Sequence, residues 1–157
     1  MTELEVRVQD GNLLFTRGYP HEVARVWRAL TDDGELSVWT PWRVRADMVP
    51  GGVLSVAFGK GKPTKGEVLT VEPERRLVWR CYGALLDWTL DPEDGGCRLG
   101  FATTIGDPGH VAQSAAGYHI SLDNLALLLD GQDVVKAPSP PREPRFPGLV
   151  RHYTAAL

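Results

Sequence analysis

The chain predicts an α+β domain in which an antiparallel sheet curves around one long helix near the C-terminus, with two short helices after the first strand. Three observations carry this. From Trp42 to Thr104 short segments of alternating apolar and polar residues follow one another between Gly and Pro turns, as antiparallel neighbours require. From Pro108 to Leu129 the spacing changes to three and four residues. Between the first strand and the rest lies Arg17 to Trp42, RGYPHEVARVWRALTDDGELSVWTPW, whose helical spacing is interrupted midway. Residues 1–131 are read as the domain and 132–157 as a proline-rich extension.

Gly11 and Asn12 mark a turn, so a strand is placed from Asn12 to Tyr19, preceded by an extended segment at Leu4 to Val8. Pro20 ends the strand and is set to start a helix. Val23, Val26, Trp27 and Leu30 share one helical face, Thr31 is placed to cap the next turn, and Leu36 and Trp39 fall on a second helix, with Gly34 separating the two. Pro41 forces an extended path into Trp42 to Met48. Strands follow at Val53 to Phe58, Gly66 to Val71, Leu77 to Tyr82, Leu85 to Asp91 and Cys97 to Thr104. Leu77, Trp79 and Cys81 point one way, as do Leu86, Trp88 and Leu90, and then Leu99, Phe101 and Thr103. The long helix that covers this face carries Val111, Ala115, Tyr118, Leu122, Leu125 or Ala126, and Leu129, and Gly131 stops it. Lys136 to Gly148 is too rich in proline for a helix and is expected to run extended along the surface. Leu149, Val150, Tyr153 and Leu157 then regain helical spacing for a short docked terminal helix.

Composition narrows the function classes. A chain of 157 residues with net charge −3 and scattered arginines lacks the concentrated basic surface a nucleic-acid binder needs. No apolar run approaches the roughly 20 residues of a membrane helix, and MTELEVRVQD has no secretory pattern, so a cytoplasmic protein is expected. The preference for Arg over Lys, with abundant Ala, Gly and Pro, points to a bacterial source of high GC content. Cys81 and Cys97 fit neither a disulfide framework nor a metal spacing and are read as free thiols. His21, His110, His119 and His152 are dispersed, so neither a metal site nor a cofactor is expected. The glycines at 51, 52, 59 and 61 lie in hairpin turns rather than in a phosphate loop.

The candidate ligand-binding residues are the rings placed to face the space between sheet and helix: Trp39, Trp42, Phe58, Trp79, Trp88 and Phe101. From the long helix, Tyr118, His119 and Leu122 join them. His119 and Asp123 stand i,i+4, where a carboxylate orients an imidazole, but no nucleophile motif accompanies them, so no catalytic residue is assigned.

Four stretches carry a family resemblance: RGYPHEVARVWRALTD, VPGGVLSVAF, GEVLTVEPERRLVWRC and SAAGYHISLDNLALLLDG. In order and spacing they resemble the activator of Hsp90 ATPase homologue 1-like family, a branch of the START-like (SRPBCC, Bet v 1-like) helix-grip superfamily. The resemblance implies the helix-grip fold and a cavity between sheet and helix. It departs at Tyr118, where many relatives carry tryptophan after the glycine. Nothing in these 157 residues resembles the separate N-terminal domain of the eukaryotic Hsp90 co-chaperone. Three functions are therefore carried. The first is binding of a hydrophobic or lipid-like small molecule by a monomer or homodimer. The second is an aromatase or cyclase-type activity on a polyketide-like substrate, steered by Tyr118, His119 and Asp123. The third is an Hsp90-related interaction.

Overall fold

The computed structural model describes all residues, Met1–Leu157. Eight antiparallel strands, β1 (Glu5–Gln9), β2 (Asn12–Tyr19), β3 (Trp42–Ala46), β4 (Val53–Phe58), β5 (Thr64–Glu72), β6 (Arg76–Cys81), β7 (Ala84–Glu93) and β8 (Gly96–Thr104), form one curved sheet. Its spatial order is β1-β2-β8-β7-β6-β5-β4-β3. After β2 the chain crosses to the far edge through α1 (Val23–Thr31) and α2 (Asp33–Trp39), then returns strand by strand until β8 pairs with β2. The long helix α3 (Val111–Leu129) and the terminal helix α4 (Phe146–Ala156) complete the chain.

Tight turns set the register. Gln9 pairs with Asn12, Cys81 with Ala84 and Glu93 with Gly96, each across two residues. Asp10–Gly11, Tyr82–Gly83 and Asp94–Gly95 all have positive φ, the geometry that matches strand twist in two-residue hairpins. The last of these is tighter than the gap between the strands expected to end at Asp91 and to resume at Cys97. Pro92 is tolerated inside β7 because β6 pairs with β7 only as far as Thr89, leaving no neighbour on that side to want its missing N–H.

The boundary between α1 and α2 also differs from expectation. Gly34 lies inside α2, and the break falls at Asp32, whose extended backbone ends α1 while its carboxylate accepts from the Glu35 N–H at 2.9 Å. Thr31, expected to cap, instead donates back to the Trp27 carbonyl at 2.8 Å. Val26, Ala29 and Leu30 are fully buried, whereas Trp27 and Val23 are only half-buried.

Concave-face alternation is met throughout: Leu77, Trp79, Cys81, Leu86, Trp88, Leu90, Leu99, Phe101 and Thr103 are all buried. Gly131 ends α3 with φ +72°, and the Gly131 and Gln132 amides bond back to the Leu128 and Leu127 carbonyls. Helix α3 is buried beyond its sheet face, because Ile120, Ser121 and Asn124 lie under the extension. That extension is less extended than expected, with a 3-10 turn at Pro140–Arg142 and α4 already begun at Phe146. The ammonium of Lys136 holds it down by donating to the carbonyls of Ser37, Thr40 and Trp42, and burial pushes its pKa down.

Both cysteines are free and buried. Burial first, then the nearby Asp91 and Glu93, pushes the Cys97 thiol up to about 11, and burial raises Cys81 too. A thiol-reactive disulfide reagent at pH 8 is expected to label neither in the native protein and both in denaturant. Fast native labelling would show that the sheet ends open readily.

Candidate functional site

The inward rings do two different things. Trp88 of β7 stacks on Phe101 of β8 at 3.8 Å and meets Trp39 of α2 edge-on at 5.6 Å and Trp79 of β6 at 6.4 Å. Trp39, Trp79, Trp88, Phe101 and Leu122 are each at most 2% exposed and belong to one continuous core. They fill the middle of the space between sheet and helix.

Trp42, Phe58 and Tyr118 lie instead at its margin. Trp42 opens β3 and pairs across the ladder with Phe58, the last residue of β4, with ring centroids 6.3 Å apart. Tyr118 approaches Trp42 from α3 at 6.3 Å. Facing them across a groove of about 410 Å3 are Pro140, Pro141 and Phe146 of the extension, with Gln113, Ser114 and Gly117 along the helix. The volume lies in the range of small-molecule sites, roughly 300–1,000 Å3. Phe58 is 43% exposed, an aromatic ring offered to solvent at the groove wall. Trp42 is buried, yet its indole N–H has no acceptor within the protein. Burial pushes the Tyr118 hydroxyl up to about 12, so it stays a neutral donor. A recess of about 580 Å3 beside β3 is larger but polar, lined by Asp33, Arg43, Arg45 and Ser55 among others. Arg43 there is occupied, donating to the Gly59 and Gly61 carbonyls.

His119 and Asp123 stand elsewhere, on the side of α3 that α4 covers. Asp123 accepts from Arg17 Nη1 at 2.8 Å, lies 3.4 Å from His119 Nε2 and 3.5 Å from Arg145 Nη1. The other imidazole nitrogen, Nδ1, is 2.7 Å from the Tyr153 hydroxyl of α4. Both imidazole nitrogens are thereby engaged, Nε2 with Asp123 and Nδ1 with Tyr153. Burial tends to raise the Asp123 pKa, but the hydrogen bonds from His119 and Arg17 outweigh it and hold the carboxyl below its ordinary value. The cluster ties β2, α3 and α4 together, and Tyr19 adds to it by donating to the Leu122 carbonyl at 2.9 Å. No three of the His, Cys, Asp and Glu side chains gather as a metal cluster would need. No helix is long and apolar enough to cross a membrane.

Sequence reasoning passed over Arg17, Tyr153 and the extension side of the groove. Arg17 was within reach, because Leu13, Phe15, Arg17 and Tyr19 alternate onto the buried face of β2, and a charge in that register calls for a partner. Pro140 and Phe146 carry no such local signal.

The fold recurs in solved structures. CalU16 from Micromonospora echinospora is 20% identical, with a TM-score of 0.71 over 98% of this chain and 92% of that one. A protein from Nitrosomonas europaea is 25% identical, with a TM-score of 0.67 over 80% of this chain and 98% of that one. DynU16, described as a putative protein in the dynemicin biosynthetic locus, is 28% identical, with a TM-score of 0.68 over 79% of this chain and 49% of that one. No curated protein matches the chain. The family model for Activator of Hsp90 ATPase homolog 1-like protein matches residues 20–130, from the end of β2 to the end of α3, and the chain belongs to that family.

Proposed function

We propose that this domain binds an apolar, planar small molecule in the groove between the Trp42–Phe58 pair and the C-terminal extension. The observation that carries the reading is the juxtaposition of a half-exposed Phe58, the Trp42 ring and the Pro140–Phe146 wall around about 410 Å3. Flat rings and proline faces give contact area at little entropic cost, and a few polar groups suffice to orient a ligand. The likeness to DynU16, from a biosynthetic locus, points the same way. A cyclase-type activity is less well supported, since His119 and Asp123 are engaged with Tyr153 and Arg17 away from the groove.

Titration with N-phenyl-1-naphthylamine, a neutral planar fluorophore, tests the reading. Phe58→Ser is expected to weaken binding at least tenfold, about 1.4 kcal/mol. Its melting temperature should fall only modestly, because the ring is 43% exposed and lies outside the closed core. Equal affinity in wild type and Phe58→Ser, or no binding by wild type, would sink it.

A further inference from the structure

The two edges of the sheet differ in how their backbone groups are satisfied. At one edge, β3 is covered. Its Val44 and Ala46 N–H groups donate to Ser37 Oγ at 2.9 Å and to the Asp33 carboxylate at 3.1 Å, and its Trp42 carbonyl accepts from Lys136 at 3.2 Å. At the other edge lies β1, which has no such cover. The two-residue turn at Asp10–Gly11 makes Gln9 and Asn12 a hydrogen-bonded pair, so Glu5, Arg7 and Gln9 bond to β2, while Val6 and Val8 turn their N–H and C=O groups away from it. No side chain, turn or loop bonds to the backbone of Val6 or Val8. Edge strands are commonly blunted by proline, lysine or a bulge, and β1 carries none of these.

We propose that β1 is a dimerisation edge and that its occupant is β1 of a second copy of this chain. Charge complementarity sets the register. With a two-fold axis through Val6, antiparallel pairing places Val6 opposite the partner's Val6, Glu5 opposite the partner's Arg7, and Arg7 opposite the partner's Glu5. The parity also agrees. Val6 falls on a hydrogen-bonding position, where the two copies exchange N–H and C=O, and Glu5 and Arg7 fall on the closer, non-hydrogen-bonded positions. Both are exposed, and neither has an ion-pair partner within its own chain. Opposite charges facing each other across a ladder attract and like charges repel. Moving the axis one residue to Arg7 would preserve the hydrogen bonds but set that charge against itself. On the inner face, Val8, 47% exposed in the single chain, gains the partner's Leu4 as its cross-strand neighbour. The groove borders β3 at the opposite edge, so both copies keep it open, and the proposal stands independently of the ligand reading.

Sedimentation equilibrium of the whole chain at low salt tests the edge, over roughly 10 μM to 1 mM because one strand pair makes a small interface. The mass is expected to rise with concentration from 17.3 kDa toward twice that value. Glu5→Arg and Arg7→Glu should each weaken the dimer about tenfold or more, since either change turns both cross-strand attractions into repulsions. An equimolar mixture of the two variants should form a heterodimer, and the double variant Glu5→Arg with Arg7→Glu should regain the homodimer. Both side chains are exposed, so circular dichroism is expected to show the same fold in every variant. A monomer across the whole range overturns the proposal. So does a dimer that both single variants leave intact, or a loss that neither the mixture nor the double variant restores.

Discussion

Asp123→Ala is expected to destabilise the fold by about 3–5 kcal/mol, because it strands a buried charge. Arg17 projects from the inward face of β2 with its side chain only 6% exposed, and Asp123 is its carboxylate partner at 2.8 Å. Removing the partner leaves a guanidinium with neither water nor counter-charge, and His119 and Arg145 lose an acceptor at the same time. At roughly 2–4 °C per kcal/mol for a chain of this length, the melting temperature should fall by about 10 °C. Urea denaturation monitored by tryptophan fluorescence measures it. The double variant Arg17→Met with Asp123→Leu should recover most of the loss, since a matched apolar pair often equals a buried ion pair in stability. A loss below about 1 kcal/mol in Asp123→Ala would show that water reaches Arg17 and that the pair contributes no more than a surface bridge.

The same carboxylate gives a pH dependence of definite sign. Its folded-state pKa is held below the ordinary 3.8. The stabilisation is therefore fully present above the unfolded value and is lost as pH falls through the depressed folded value. Wild type should lose stability on acidification below about pH 4, and Asp123→Asn should show a flatter profile there. Parallel profiles in the two proteins would assign the acid sensitivity to other carboxylates.

Trp88→Ala is expected to cost about 3–5 kcal/mol, the range for deleting a large buried aromatic. The ring stacks on Phe101 and meets Trp39 and Trp79, so its removal opens a void bounded by rigid rings that cannot collapse into it. Trp88→Phe should cost far less than its lost volume suggests. The indole N–H has no acceptor, and deleting an unpartnered buried donor returns part of its desolvation penalty. Thermal melts of the two variants check both statements. A near-neutral Trp88→Ala would place this ring on the wall of an open cavity, and the ligand site would then extend inward from the groove.

Much of the architecture was legible in local patterns. The alternation of Leu86, Trp88 and Leu90 and of Leu99, Phe101 and Thr103 identified a single buried face because a strand's side chains alternate with period two. The periodic positions of α3 and the stop at Gly131 were equally readable, since both follow from helix geometry and from the freedom of glycine at positive φ. Element edges were less so. Asp32 rather than Thr31 caps α2 because one extended residue serves as the last of one helix and the first of the next. Spacing alone does not choose between neighbouring capping residues.

The site divides along the same line. Sequence by itself determined which rings face inward and that the chain is a sheet gripping a helix. Tertiary structure alone decided which rings fill the core and which border a groove. Trp88 and Trp42 occupy equivalent inward positions on their strands, yet one lies mid-sheet beneath α2 and the other on the edge strand beside the extension. It also set His119 against Tyr153, 34 residues away, and Phe146 opposite Phe58. Contacts of that kind depend on where α4 docks, a sum of many weak packing terms that no periodicity encodes.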